Sequence, residues 1–228
     1  MGSEQLEYPE DLADMAAWIA SVSDPGCRVL EIGSGDGELT GRLAADGIDV
    51  IGVDPHATQS TVPNDRVRAV AFEEFDDAPF DVVFASVSLH HLPRPDATIA
   101  ALRRLTHPGT VLLVREFDKV LLDHPPTLQW WFHQRRARAA TTGEPVGEES
   151  FDEFIDRWRE QMDHHVLPWS TVREAILAAG FVTEAEIATP YLFRWGLDEA
   201  IRPLEESLIA LGRIRCVGLR WSGRRAES

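Results

Sequence analysis

The sequence predicts an α/β fold: seven short strands in a mostly parallel sheet, with helices on both faces, in one domain over residues 1–228. Three observations carry this. Apolar strand-like runs alternate with amphipathic helical runs through the first half of the chain, as in a parallel sheet joined by crossover helices. The first apolar run, Val29-Leu30-Glu31-Ile32, passes through Gly33-Ser34-Gly35-Asp36-Gly37 straight into a helical pattern. The second, Val50-Ile51-Gly52-Val53, ends in the carboxylate of Asp54. At 228 residues the chain is long enough to bury a full core.

The elements follow in order. Leu12, Met15 and Ile19 share one helical face, and Asp24-Pro25-Gly26 stops that helix. Strand one covers about Arg28–Ile32, and a helix over Glu38–Asp46 is closed by Gly47. Strand two is about Asp49–Val53. Ala57–Asp65 is polar and contains Pro63, so any helix there is short. Strands three and four are placed at Val67–Phe72 and Asp81–Ala85. Asp96 is the expected N-cap of a helix over Ala97–Leu105, with Ile99, Leu102 and Leu105 inward. Strand five is Thr110–Arg115.

Residues 118–169 break the rhythm with Gln129-Trp130-Trp131-Phe132-His133, a Thr141–Pro145 break and an acidic amphipathic run from Ser150 to about His164. Inserted helices are expected there. A helix over Ser170–Ala179, capped by Gly180, leads to a strand over Phe181–Thr189. Leu197, Ile201, Leu204, Leu208 and Leu211 form one stripe of a helix ending at Gly212, and Ile214–Trp221 is the last strand.

The glycine spacing narrows the ligand. A dinucleotide fingerprint, G-x-G-x-x-G, needs its third glycine where this chain has Glu38. That side chain would crowd the helix–strand contact and set negative charge beside a pyrophosphate. No G-x-x-x-x-G-K-[ST] run is present to hold a triphosphate. Glu31, two residues ahead of Gly33, suits a ligand bearing an ammonium group, and Asp54 can accept hydrogen bonds from both hydroxyls of a ribose. An adenosine with a cationic amino-acid tail fits these residues.

Composition excludes other classes. Lys and Arg number 22 against 38 Asp and Glu, a net charge of −16 that repels phosphate backbones, so no nucleic-acid partner is expected. No apolar run approaches the roughly 20 residues that cross a bilayer. The start, Met1-Gly2-Ser3-Glu4-Gln5, has no cationic segment of a secretory signal. Cys27 and Cys216 read as buried thiols in strand segments of a cytoplasmic protein. His90-His91 and His164-His165 are adjacent pairs without the spacing of zinc ligands, so no metal is expected.

Four segments in register resemble the class I methyltransferases that use S-adenosylmethionine. Glu31-Ile-Gly33-Ser-Gly35-Asp-Gly37 is similar to their first motif and Asp54 to their ribose-binding acid. Phe80–Leu92 resembles their fourth strand and the turn after it, and Leu102–Val114 their leader helix, Pro-Gly and fifth strand. The resemblance covers residues 28–117, and it implies a Rossmann-like seven-stranded sheet whose last two strands run antiparallel to each other. It implies S-adenosylmethionine as cofactor, with Glu31, Gly33 and Gly35 at its amino-acid end, Asp54 at the ribose and Ser86 near the methionine portion. Members of the family place an acid after strand three for the adenine amino group. Here that run reads Ala71-Phe72-Glu73-Glu74, leaving Phe72 stacking, backbone groups or Glu73 for the base.

Methyl transfer from a sulfonium needs the acceptor held in line and water excluded. His91, following strand four at the carboxyl edge of the sheet, is the first candidate for a general base. His90, Glu116, Asp118 and His164-His165 stand behind it. Aromatics at Trp130, Trp131, Phe132, Trp169, Tyr191, Phe193 and Trp195 fall in and around 118–169 and 190–212, the segments expected to form acceptor lids. The expected activity is methylation of oxygen, nitrogen or aromatic carbon on a small aromatic or apolar acceptor. A protein or nucleic-acid methyltransferase, and a cofactor-binding protein that moves no methyl group, stay open beside it.

Overall fold

The computed structural model describes residues 9–57, 66–91, 94–144 and 148–227. The expectation for 57–65 falls almost wholly outside them, as do Leu92 and Pro145. The chain forms two compact units: one contains residues 9–116, 170–187 and 220–227, the other 117–169 and 188–219.

The sheet has seven strands, β1 (Arg28–Ile32), β2 (Asp49–Val53), β3 (Val67–Arg68), β4 (Phe80–Ser86), β5 (Thr106–Phe117), β6 (Phe181–Thr189) and β7 (Gly218–Arg225). Their order is β3-β2-β1-β4-β5-β7-β6. The pairs β1–β2, β1–β4, β2–β3 and β4–β5 are parallel, and β7 runs antiparallel. The seven-stranded, mostly parallel α/β fold is thus as expected. Strand order reverses direction between β1 and β4, and in open α/β sheets the carboxyl ends at such a switch point are where ligands bind.

Helices α1 (Pro9–Ala20) and α2 (Glu38–Ala45) cover one face of the first unit's sheet. Leu12, Met15, Ile19, Leu39 and Leu43 pack with Val29, Val50, Val82, Phe84, Val111 and Leu113 in one apolar cluster. The helical stripe at Leu12, Met15 and Ile19 therefore buries as its spacing requires. Strands β1 and β4 are buried almost throughout, as strands covered on both faces are. Helix α3 (Pro95–Leu105) links β4 to β5, and α7 (Trp169–Ala178) precedes β6.

Several boundaries differ from the sequence reading. Strand three stops at Arg68, because the Val70 N–H turns back to the Arg68 carbonyl and 72–74 form a turn. Asp96 does not cap α3: Pro95 begins that helix after an extended Arg94, and Asp96 lies in its first turn. Its buried residues are Thr98, Ala101, Leu102 and Leu105, with Ile99 only half-buried. The last strand starts four residues late, at Gly218, because the Arg215 N–H is taken by the Thr127 hydroxyl at 2.9 Å. Cys27 and Cys216 lie in the segments just before β1 and β7, free and half-buried.

The second unit holds α4 (Lys119–Leu122), α5 (Pro125–Thr142), α6 (Phe151–His165) and α8 (Arg202–Ala210). Ser150 caps α6 with a reciprocal capping box, its hydroxyl accepting from the Glu153 N–H while Glu153 accepts from the Ser150 N–H. Ser150→Ala should cost about 1 kcal/mol in urea melts, and an unchanged midpoint would show that the box adds nothing. Trp131, Phe132, Phe154, Tyr191 and Phe117 form an aromatic core, closed by a Trp131 Nε1–H bond to the Trp195 carbonyl at 2.9 Å.

The leucine stripe at 197–211 is overturned. A short 3₁₀ turn over Glu199–Ile201 precedes α8, whose second residue is Pro203, and Leu204 and Leu211 are 43% and 71% exposed. The residue α8 buries is Glu205. Its oxygens accept the N–H groups of Tyr191, Leu192 and Phe193 at 2.8, 3.0 and 2.8 Å. A carboxylate that replaces three backbone partners determines which way the helix faces.

Candidate active site

Gly33, Gly35 and Gly37 all have positive φ, at 73°, 53° and 85°, so the chain after β1 makes a turn that side chains would resist. The Gly33, Ser34 and Gly35 amides of this turn have partners within the protein. The Gly33 and Ser34 N–H groups donate to the Val53 carbonyl at 2.8 and 3.2 Å, and the Gly35 N–H donates to Asp54 Oδ2 at 3.0 Å. Asp54 Oδ1 accepts from the His56 N–H at 2.7 Å. One carboxylate thus ties the glycine turn to the end of β2. The glycines supply room, and a Cβ built on Gly35 meets nothing within 4 Å.

Glu31 is 5% exposed, and its Oε2 accepts from the Thr40 hydroxyl at 2.6 Å. Thr40, on α2, carried no sequence signal, because a contact nine residues along the chain depends on how α2 packs on β1. Glu38 is exposed in the first turn of α2, where its charge favours the helix dipole and disfavours a bound phosphate.

The turn after β4 comes up against the glycine turn. Ser88 donates its hydroxyl to the Ile32 carbonyl at 2.9 Å, and a Cβ on Gly33 would lie 2.3 Å from Ser88 Cβ. Val87, a β-branched residue, has φ 49°, a backbone conformation that costs of order 1–3 kcal/mol and persists only where its surroundings impose it. Leu89–His91 then form a 3₁₀ turn. Neither Ser88 nor the strain at Val87 could be read from the sequence.

His90 and Glu116 meet under this turn. His90 is 4% exposed and Glu116 1%, with Nδ1 of the imidazole 2.7 Å from Glu116 Oε2. Glu116 Oε1 accepts from the N–H groups of Leu89 and His90 at 3.0 and 3.4 Å. His91 is exposed, its ring centroid 4.0 Å from that of His90. Ser86, half-buried, accepts from Arg115 Nε at 2.9 Å. Phe72 is 4% exposed, and Glu73 accepts from the Thr98 hydroxyl at 3.2 Å. Asp118 caps α4 through the Val120 N–H, and His164 and His165 end α6 exposed.

A methyltransferase-domain family profile matches residues 4–154, about two thirds of the chain. This chain belongs to that family, the class I S-adenosylmethionine-dependent methyltransferases. A ubiquinone biosynthesis O-methyltransferase of Methylococcus capsulatus is 31% identical over 114 residues, covering 45% of this chain and 48% of the relative. The 27-O-demethylrifamycin SV methyltransferase of Amycolatopsis mediterranei is 34% identical over 149 residues, covering 59% and 53%. The chain therefore spans about half the length of the curated relatives it matches. Among solved structures, the geranyl diphosphate C-methyltransferase of Streptomyces coelicolor superposes with a TM-score of 0.58 at 10% identity, covering 99% of this chain and 86% of that one. That likeness speaks for the fold alone.

This methyltransferase domain uses S-adenosylmethionine as cofactor. The residues present fit such a group: there is open space above Gly35, and the Asp54 carboxylate stands at the end of the strand beside it. Among the described residues no cluster of three His, Cys, Asp or Glu is arranged to hold a metal ion, and no helix is long and apolar enough to cross a membrane.

Proposed function

We propose that this chain transfers the methyl group of S-adenosylmethionine to a small, aromatic or apolar acceptor. The observation that carries the reading is the Asp54 carboxylate, bonded to the Gly35 N–H at the mouth of the glycine turn. Each of its oxygens accepts one N–H and has acceptor capacity to spare for a ribose hydroxyl. Glu31, Gly33 and Gly35 serve the amino-acid end, Ser86 the methionine portion, and Phe72 with Glu73 the adenine edge. The bound cofactor supplies an activated methyl group on sulfur. The protein's part is to orient the acceptor and keep water out.

The acceptor class is supported from two sides. The relatives named above are a ubiquinone biosynthesis O-methyltransferase and a 27-O-demethylrifamycin SV methyltransferase, and a chain of net charge −16 is a poor match for nucleic acid. Segments 118–169 and 190–212 are the part of the chain assigned to acceptor recognition. Most of their aromatics are core, with Trp131, Tyr191 and Phe193 at 2% exposure or less. Trp130 and Trp195 are only half-buried and are the better candidates for touching a ligand. The free thiols of Cys27 and Cys216 suit a reducing compartment such as the cytoplasm.

Calorimetry with S-adenosylhomocysteine tests the cofactor half. Asp54→Ala should weaken binding about 10- to 100-fold, the loss of about 1.5–3 kcal/mol in hydrogen bonds to a charged group. Unchanged affinity would remove Asp54 from the site. Labelled-methyl transfer to phenols, indoles and amines tests the acceptor half.

A further inference from the structure

We propose that Arg135 binds a carboxylate on the acceptor, which makes the preferred acceptor a planar aromatic acid stacked on Trp195. This rests on the methyltransferase reading, with segments 118–169 and 190–212 recognising the acceptor, and deepens it. Arg135 lies on α5, one turn beyond Trp131, its guanidinium carbon 5.1 Å from the centre of that indole ring. Trp195 packs on the same indole, ring centres 5.0 Å apart, and its carbonyl accepts the Trp131 Nε1–H. Gly196 follows at φ 70°, and a Cβ there would come within 3.2 Å of Arg135 Nε. The missing side chain lets the guanidinium lie against this backbone, next to the half-buried Trp195.

The arginines around it are already matched. Arg157 holds Glu149 through two contacts of 2.8 Å, Arg138 lies 3.3 Å from Glu144, and Arg136 donates to the Glu149 carbonyl at 2.8 Å. Arg135 is exposed and has no hydrogen-bond or ion-pair partner among the described residues. Partial burial of the guanidinium, then the like charges of Arg157 and Arg138, hold it below the usual arginine value, against the raising effect of Glu144. Packing on Trp131 does not account for this. The chain has 38 Asp and Glu against 22 Lys and Arg, yet this arginine sits among arginines with no carboxylate on it. Its charge is repelled by its neighbours, and a bound anion relieves that repulsion.

The ligand's chemistry follows from these parts. A guanidinium presents a planar fork of donors that matches a carboxylate with two parallel bonds. One guanidinium in a molecule of net charge −16 suits a single negative charge better than the roughly two of a phosphate monoester. The indole of Trp195 suits a flat ring, and an aryl acid carries ring and carboxylate on one rigid frame, so little freedom is lost on binding.

Calorimetry on the whole chain with S-adenosylhomocysteine bound, using 2-naphthoate and the uncharged 2-naphthamide, tests this. Wild type should bind the acid about 10-fold or more tighter than the amide. Arg135→Gln should cancel that preference, and Arg135→Lys, which keeps the charge without the fork, should retain part of it. Trp195→Leu should weaken both probes about equally, by roughly 3- to 10-fold. Affinity for S-adenosylhomocysteine should stay within about twofold in the Arg135 variants. If Trp195→Leu unfolds the protein, the Arg135 variants decide, since that side chain is exposed. A wild type that binds neither probe or does not favour the acid would overturn the assignment. So would a preference that survives Arg135→Gln, or one that Arg138→Gln removes equally. Failure of the wild type to bind S-adenosylhomocysteine would instead sink the cofactor reading, before either probe is added.

Discussion

Gly33→Ala should abolish tight binding of S-adenosylhomocysteine, weakening it about 100-fold or more. Two effects add. An alanine at φ 73° occupies the left-handed region at a cost of roughly 1–2 kcal/mol. Its Cβ would also sit 2.3 Å from Ser88 Cβ and 2.9 Å from Ser88 Oγ, a backbone-anchored contact that must give way. Overpacking of that kind costs about 1–3 kcal/mol. Relief requires the 88–91 turn to move off the glycine turn, which breaks the Ser88–Ile32 bond and carries His90 with it. Gly47→Ala is the control. Gly47 also has positive φ, at 85°, but a Cβ there meets nothing within 4 Å. If calorimetry gives both variants the same affinity, the interlock between the two turns has no part in binding.

Glu205→Ala should be the most destabilising single change in the second unit, about 4 kcal/mol or more by urea denaturation. It strands the N–H groups of Tyr191, Leu192 and Phe193, each worth about 1–3 kcal/mol when buried and unpaired. Those residues carry two of the unit's buried aromatic rings. Glu205→Gln keeps an acceptor oxygen and should cost less. Burial holds the Glu205 carboxyl above the usual range, against the lowering effect of the three N–H donors and Arg194. The folded value being above the unfolded one, the group's contribution is full below the ordinary carboxylate range, near ~4.3, and declines as pH rises through the folded value. The stability gap between wild type and Glu205→Gln should therefore narrow from acid towards neutral pH. A gap that widens over that range would reverse the sign of the burial effect.

These two positions differ in how far the sequence reveals them. Gly33 announces itself, because a glycine between an apolar strand and a helix marks a turn with little room. What its missing Cβ makes room for, Ser88, lies 55 residues on and is not legible. Glu205 was hidden by the leucines around it. The spacing of Leu197, Ile201, Leu204, Leu208 and Leu211 pointed to an apolar stripe, yet the helix starts only at Arg202 and turns its acid inward. Periodicity reports what a helix could bury, whereas the three amides that donate to Glu205 decided what it does bury. The same reason moved the last strand, where the Arg215 N–H found Thr127 before it found a neighbouring strand.

The paired histidines show the division most directly. From sequence, His91 and His90 are adjacent residues of one chemistry, and either can face the sheet edge. The structure buries His90, with its Nδ1 2.7 Å from a carboxylate 26 residues away on β5, and leaves His91 exposed.

Local patterns in the chain establish the α/β class, the order of strands and helices, the glycine turn with Asp54 beyond it and, through these, the methyl donor. Those features rest on local patterns: periods of two and 3.6, and glycines at a strand–helix junction. Packing settles that the glycine-turn amides bind β2 and its terminal Asp54, that Ser88 locks onto Gly33, that Glu205 holds the 191–193 turn, and that His90 is buried against Glu116. Each of these is a contact between segments far apart in the chain. Such contacts are set by which buried polar groups find partners, a competition that no local spacing records.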